Sequence, residues 1–403
     1  MTDERMCACR PMRRLGNVAR ARFDRGMTEK IIECARRVAD VSRVHADAGE
    51  RAGLLTEEVV TELIGTELLR MGMPTRLGGP EIDPVTSARA LMAVAEGDAS
   101  AAWYPATSST HSIFTHYLAE DSAREIFDGT APVACASMPG GSGRFTEGGL
   151  CVDSGRWPWG SAAPHAKWMG LGMVVDGRSL VAFVPTSDIV IEGDWDSLGL
   201  RATSSGHFSV RPGVFVPDRR LVDMGRPGPR QDTPLSLFPL TAYISFAYAA
   251  VALGNAVGAV NDLLDRAEGT TSLGLPNTLA RSSLAHIETA RAEARLYSAR
   301  AFLLEAMGEM WDTAQDGHTA DTGVRARSRL AMSHATAEAA AVVGGIHQLG
   351  GGAAVHAGDP LQRRLRDAHT ITQHVQVTAR AYPLYGALRF GQALDTAALR
   401  HAT

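Results

Sequence analysis

Apart from Phe238 to Val260, no stretch of this chain approaches the ~18–20 apolar residues that a membrane-spanning helix needs. That stretch is rich in Ala, Gly and Tyr and reads as a buried helix, so no membrane association is expected. Cysteine is scarce. The five present are odd in number and scattered, which implies no disulfide framework. Cys7 and Cys9 form a CxC pair without a second pair or a histidine nearby, which argues against a zinc site. An excess of charge is missing too: a net charge of −4 points away from nucleic acid and anionic membranes as partners. Neither a GxGxxG motif nor a βαβ pattern occurs, so a Rossmann dinucleotide domain is not expected. The expected compartment is the cytoplasm.

What is present is enough for two or three domains with buried cores, in 403 residues of which 45% are hydrophobic. Residues 1–27 carry Arg10, Arg13, Arg14, Arg20, Arg22 and Arg25 without apolar periodicity. With no apolar h-region and with acidic residues interspersed, they read as a disordered tail rather than a targeting peptide, and Met27 is an alternative start. From 28 to 128, apolar residues recur near a 3.6 period, as in Ile31, Ile32, Ala35, Val38 and Ala39, and mark a helical domain. From 129 to 225, short β-type runs alternate with glycine and proline, which predicts an antiparallel barrel or sandwich. A Pro/Gly-rich linker follows at 226–233. Residues 234–403 predict long helices over Leu240–Glu268, Pro276–Met310, Gly323–Leu349 and Pro360–Asp395, a four-helix bundle. The fold class is therefore α+β, mainly α.

Four segments carry candidate chemistry. The first, Glu96-Gly97-Asp98-Ala99-Ser100-Ala101-Ala102-Trp103, is followed by His111. The second is Cys135-Ala136-Ser137-Met138-Pro139-Gly140-Gly141-Ser142-Gly143, and the third is Trp157-Pro158-Trp159-Gly160-Ser161-Ala162 with Trp168 beyond it. The fourth begins at Gln348-Leu349-Gly350-Gly351-Gly352 and continues through Arg363-Arg364-Leu365-Arg366-Asp367-Ala368 to Gln373-His374-Val375. Its glycines let backbone amides approach something large and anionic.

These segments, and the order helical domain, β domain, helical bundle, resemble the acyl-CoA dehydrogenase superfamily. The closer likeness is to its flavin-dependent two-component monooxygenase branch of indole- and phenol-hydroxylase type. The resemblance covers nearly the whole chain from about residue 28 and implies a set of roles. Ser137 falls on a threonine that donates to the flavin pyrimidine. Trp159 falls on an aromatic that packs against the flavin, and Ser161 on a hydroxyl near N5 and O4. Gln348, Gly350, Gly351 and Gly352, with Arg281 from the preceding helix, fall on the groups that hold a flavin pyrophosphate, largely that of a neighbouring subunit. The resemblance thus implies FAD, with FMN the alternative, and a homodimer or homotetramer. His111 falls where a histidine of the monooxygenase branch faces the flavin; the plainer reading is a polar histidine at a helix end.

One position departs from the dehydrogenases. Counting from Arg366-Asp367-Ala368, the glutamate that removes a substrate α-proton falls on Val375, which cannot accept a proton. Beside it stands His374, where related monooxygenases place a histidine over the flavin. The implied activity is that of an FADH2-dependent two-component monooxygenase that forms a C4a-hydroperoxyflavin with O2 and hydroxylates a small aromatic or heteroaromatic substrate. Its reduced flavin comes from a separate NAD(P)H flavin reductase, since this chain has no nicotinamide fold. His374, His111 and Ser161 are the expected catalytic residues. Trp103 and the segment Phe238 to Tyr248 are expected to line the pocket. The alternatives are a flavin dehydrogenase or oxidase with a displaced base, and a flavin-binding protein that has lost its chemistry.

Overall fold

A computed structural model describes residues 25–224, 233–270 and 278–392. The expected tail lies outside these residues as far as residue 24, as do Cys7 and Cys9. Of the expected linker only Thr233 is described.

The N-terminal layer consists of α1 (Arg25–Ala52), α2 (Glu57–Ile64), α3 (Pro84–Gly97), α4 (Ala99–His111) and α5 (Glu120–Ile126). Local chemistry sets the ends of α3 and α4. Asp83 caps α3 by accepting from Thr86 N at 2.8 Å, with Pro84 in the first turn. Asp98, in extended backbone, ends α3 and caps α4 by accepting from Ala101 N at 2.9 Å. The Glu96-Gly97-Asp98 segment is thus the joint that aims α4, a helix whose every residue is buried.

Eight strands form one sheet: β1 (Val133–Thr146), β2 (Gly149–Trp157), β3 (Trp168–Val175), β4 (Arg178–Pro185), β5 (Ile189–Ile191), β6 (Phe208–Val210), β7 (Val214–Pro217) and β8 (Leu221–Asp223). The strand order is β5-β6-β2-β1-β3-β4-β8, with β7 also paired to β2. The sheet is mixed rather than wholly antiparallel, because β1 and β3 run parallel. The cause lies in β1, the longest strand. β2 doubles back along its second half, from Gly141 to Thr146, and the chain then crosses to start β3 beside the first half, Val133 to Ala136. Between those halves the β1–β3 register shifts, and Ser137 to Gly140 occupy the irregularity. Gly172 allows it: a Cβ there would stand 2.2 Å from the Ser137 carbonyl oxygen.

The C-terminal part comprises α6 (Leu240–Arg266), α7 (Ser283–Gln315), α8 (Thr322–Gly350), α9 (Pro360–Thr372) and α10 (Ala381–Arg389). By length and composition alone α6 could cross a membrane, but 89% of its most apolar window is buried within the protein. It is the central helix, packed against α3, α4, α8 and α9. Its Ala247, Ala249, Ala250, Ala252, Gly254 and Ala256 keep the neighbouring helices close.

The single helix expected over Pro360–Asp395 is in fact two. It breaks after Thr372, where His374 leaves helical geometry at ψ 124°. Val375, Val377 and Thr378, β-branched and stiff at χ1, follow within four residues and weaken helix continuation.

The arginines of α9 tie the layers together. Arg364, almost fully buried, donates to Asp262 of α6 at 2.8 Å and to the Ala95, Glu96 and Gly97 carbonyls that end α3. Those carbonyls have no partner within their own helix. Arg363 pairs with Asp47, and Arg366 with Glu50 and the Leu198 carbonyl. Asp367 accepts from Leu200 N at 2.6 Å.

Candidate active site

Three elements meet where α4, α6 and the break after α9 converge. From α4, Trp103 stacks on Tyr248 of α6, with ring centroids 4.7 Å apart and an interplanar angle of 28°. The Tyr248 centroid lies 3.9 Å from that of His374, and Trp103 approaches the same imidazole edge-on at 5.9 Å. From the sheet side, the turn after β2 brings Ser161, whose Oγ accepts from Trp103 Nε1 at 3.2 Å. That turn is built on left-handed backbone at Trp159 (φ 64°) and Ala162 (φ 65°), a conformation uncommon for residues with a Cβ. Ser161 therefore reaches inward from a strained corner.

The local backbone fixes the state of His374. It caps the short 3-10 turn Val375–Val377, its Nδ1 accepting from Gln376 N at 3.3 Å. Burial, and secondarily His111, push its pKa down to about 4. A neutral ring whose Nδ1 accepts must carry its proton on Nε2, so His374 presents an Nε2–H donor. The residue is partly accessible, so its ring is not sealed within the core. Gln376 is itself held by α8: its Oε1 accepts from the buried Arg329 at 3.0 Å, with the Ser245 hydroxyl of α6, which donates to the Thr241 carbonyl, also 3.0 Å away.

His111 closes α4 and is 4% exposed, its ring stacked on Phe114. Burial lowers its pKa to about 4, opposed only by the Thr107 carbonyl one turn back; its Nδ1 makes no hydrogen bond of good geometry. Burial, and secondarily Cys135 on β1, raise the pKa of the Tyr248 hydroxyl, and burial pushes the Cys135 thiol up to about 12. Among the described residues no group of His, Cys, Asp or Glu is arranged to hold a metal ion.

The structure thus gathers Ser161 and His374 about Trp103 and Tyr248, with His111 near enough to act electrostatically on His374. Tyr243 and Phe246, also in the expected lining segment, are fully enclosed core residues. Other expected residues stand elsewhere. Ser137 is exposed in the kink of β1, and Trp159 is 62% exposed on the Ser161 turn. Trp157 links those two segments, donating to the Gly172 carbonyl at 2.7 Å and lying against Gly140. Arg281, Gln348, Gly351 and Gly352 are at least partly exposed at a distant corner, where Gly350 is buried against Arg266. Arg329 of α8 contacts the His374 turn, and Gln348 lies 19 residues farther along the same helix. At 1.5 Å per residue that is about 28 Å. Within one chain, then, the glycine corner and the histidine site are far apart.

Sequence reasoning missed Thr203, Ser205, Gln376 and Arg329. Thr203 closes a stretch that reads as architectural, yet it connects to Ser161 through Ser205. Gln376 and Arg329 had no local signal, since only the fold brings α8 against the break.

Residues 246–379 match the family model for the acyl-CoA dehydrogenase C-terminal domain. The chain is 28% identical to indole-3-acetate monooxygenase of Pseudomonas putida over 362 residues, 88% of this chain and 92% of that one. It is 26% identical over 365 residues to the flavin-dependent monooxygenase oxygenase subunit HsaA of Rhodococcus jostii, covering 87% and 95% of the two chains. The solved structure of XiaF from a Streptomyces species, in complex with FADH2 and glycerol, superposes with a TM-score of 0.82 at 22% identity, over 92% of this chain and 96% of that one. In these matches the chain is similar to the acyl-CoA dehydrogenase superfamily and, within it, to flavin-dependent monooxygenases.

It is a flavin-dependent monooxygenase, the oxygenase component that uses O2 and reduced flavin from a separate reductase. The residues present fit a flavin. Ser161 Oγ keeps one lone pair, and His374 keeps an Nε2–H, with no protein partner for either among the described residues. Met138 and Trp159, large and exposed, sit on the two segments joined by Trp157. Gly351, at φ 62° and ψ −153°, holds a conformation essentially confined to glycine and leaves its corner open to an approaching group.

Proposed function

We propose that this chain hydroxylates a small aromatic or heteroaromatic substrate beside a reduced FAD, in the space bounded by Trp103, Tyr248, His111, His374 and Ser161. The observation that carries the reading is the Trp103–Tyr248–His374 cluster, which offers flat apolar faces and one imidazole donor, with Val375 where a base would stand. Aromatic walls suit a planar substrate, and the relative named for indole-3-acetate acts on one.

Bound reduced flavin supplies the reaction with O2. The chain's own residues supply the surroundings. Trp103 and Tyr248 exclude water, and exclusion of water suppresses unproductive loss of the oxidising equivalent. His374 holds its Nε2 proton at neutral pH and offers it toward the internal space, with His111, also neutral, beside it. Ser161, on the N5 side, Ser137, on the pyrimidine side, and Trp159 would hold the flavin ring system. Gln348, Gly350, Gly351, Gly352 and Arg281 hold the pyrophosphate of the FAD bound mainly by a neighbouring subunit. The distance along α8 supports this division, which calls for a homodimer or homotetramer.

The test supplies the protein with reduced FAD, ¹⁸O2 and a panel of phenols and indoles, and reads the products by mass spectrometry. One labelled oxygen in a hydroxylated product is expected. Product formed without O2, or without label, overturns the reading in favour of a dehydrogenase.

A further inference from the structure

Four side chains behind the flavin face form a hydrogen-bond chain whose direction can be assigned. Thr203 Oγ1 donates its one proton to the Leu200 carbonyl at 2.7 Å. At 2.6 Å from it, Ser205 Oγ must therefore be the donor to Thr203. Ser161 Oγ, 2.7 Å from Ser205, is by the same argument the donor to Ser205. At the other end Trp103 Nε1, which can only donate, donates to Ser161. The polarity is the same along the whole chain: Trp103 to Ser161 to Ser205 to Thr203 to the Leu200 carbonyl. All four residues are buried, so water does not scramble it.

A hydroxyl has one proton and two lone pairs. Ser161 has committed the proton to Ser205 and one lone pair to Trp103, leaving a single lone pair. We propose that Thr203 and Ser205 are positioning residues that fix Ser161 as an acceptor, so that the site selects reduced over oxidised flavin. Reduced isoalloxazine carries a proton on N5 that this lone pair can accept. Oxidised isoalloxazine presents an N5 lone pair instead, and the two acceptors oppose each other. The inference rests on the placement of Ser161 at the N5 edge given above. One mismatched hydrogen bond of this kind sets the preference at about tenfold, which raises the two-electron potential of bound flavin by ~30 mV.

The test measures the anaerobic dissociation constants of FADH2 and of FAD, and takes their ratio. Thr203→Val keeps the shape and removes the hydroxyl. Ser205 then turns its proton to Ser161, whose own proton points outward, and the preference for reduced flavin falls about tenfold. Ser205→Ala frees the Ser161 proton directly and produces the same fall, which covers the case in which the Thr203→Val variant does not fold. Thr203→Ser retains the ratio. If Ser161→Ala alters the ratio while Thr203→Val and Ser205→Ala leave it unchanged or increase it, the assigned polarity is wrong. If Ser161→Ala leaves both affinities as they were, the hydroxyl is not at the flavin, and the placement fails together with this proposal.

Discussion

The imidazole of His374 and the phenol ring of Tyr248 lie with centroids 3.9 Å apart, one from the break after α9 and the other from the central, largely buried helix α6. The contact places an irregular stretch of the C-terminal region against the helix around which the other layers pack. His374 Nδ1 is held by Gln376 N, and Gln376 by Arg329 of α8, so contacts from outside the break set the direction of the remaining Nε2 proton.

His374→Ala removes that donor and leaves the aromatic walls standing. Product formation is expected to fall by about 10²-fold, the lower range for loss of a positioned proton donor, with the lost turnover appearing as H2O2. The product-to-peroxide ratio under otherwise equal conditions checks this.

Both site histidines have pKa values of about 4 in the folded chain against 6.5 for the unperturbed group. Between those values the unfolded chain binds more protons, so stability falls as the pH falls from about 6.5 toward 4. Their contribution is intact above 6.5. A series of melting temperatures across this window should show a shallower acid loss for His374→Gln than for the parent chain.

Asp367 has the opposite sign. Burial, then the neighbouring Asp98, raises its pKa from 3.8 to about 7. The folded chain holds this proton more firmly, so its contribution is complete below 3.8 and is lost as the pH rises through about 7. Asp367→Asn keeps an oxygen for Leu200 N and cannot ionise. Its melting temperature is expected to gain on the parent between about pH 6 and 8, the span around the raised pKa; an unchanged difference across that range would refute the assignment.

Gly351→Ala forces a side chain into backbone that only glycine adopts readily, at a cost of about 1–3 kcal/mol. If the corner holds the adenylate half of FAD, affinity for reduced FAD falls by about tenfold or more while reduced FMN, which lacks that half, binds as before. Equal losses for both flavins would count against the assignment of the corner.

Much of the architecture could be read in the sequence, because it is written in local chemistry. Apolar periodicity marks the helices, and Gly/Pro punctuation marks the sheet. The parallel β1–β3 pair was not legible, since it depends on which edge of β1 remains free once β2 has folded back. The break at His374 had a local signal in Val375, Val377 and Thr378, but the helix formers farther out, from Leu361 to Ala368, outweighed it. Arg363, Arg364 and Arg366 read as a motif beside the flavin loop, but their partners Asp47, Asp262 and Glu50 are far away in sequence, so their clamping role appears only in three dimensions. Thr203 and Ser205 were silent for the same reason: a hydroxyl chain has no spacing rule.

The central claim is that the Trp103–Tyr248–His374 space controls the reaction of reduced flavin with O2. Rapid mixing of the anaerobic complex with oxygenated buffer, followed by absorbance, tests it most directly. The parent chain should show a transient spectrum distinct from both reduced and oxidised flavin, and His374→Ala should shorten its lifetime. Immediate conversion to oxidised FAD in the parent chain, at the rate of free reduced FAD, would contradict the account.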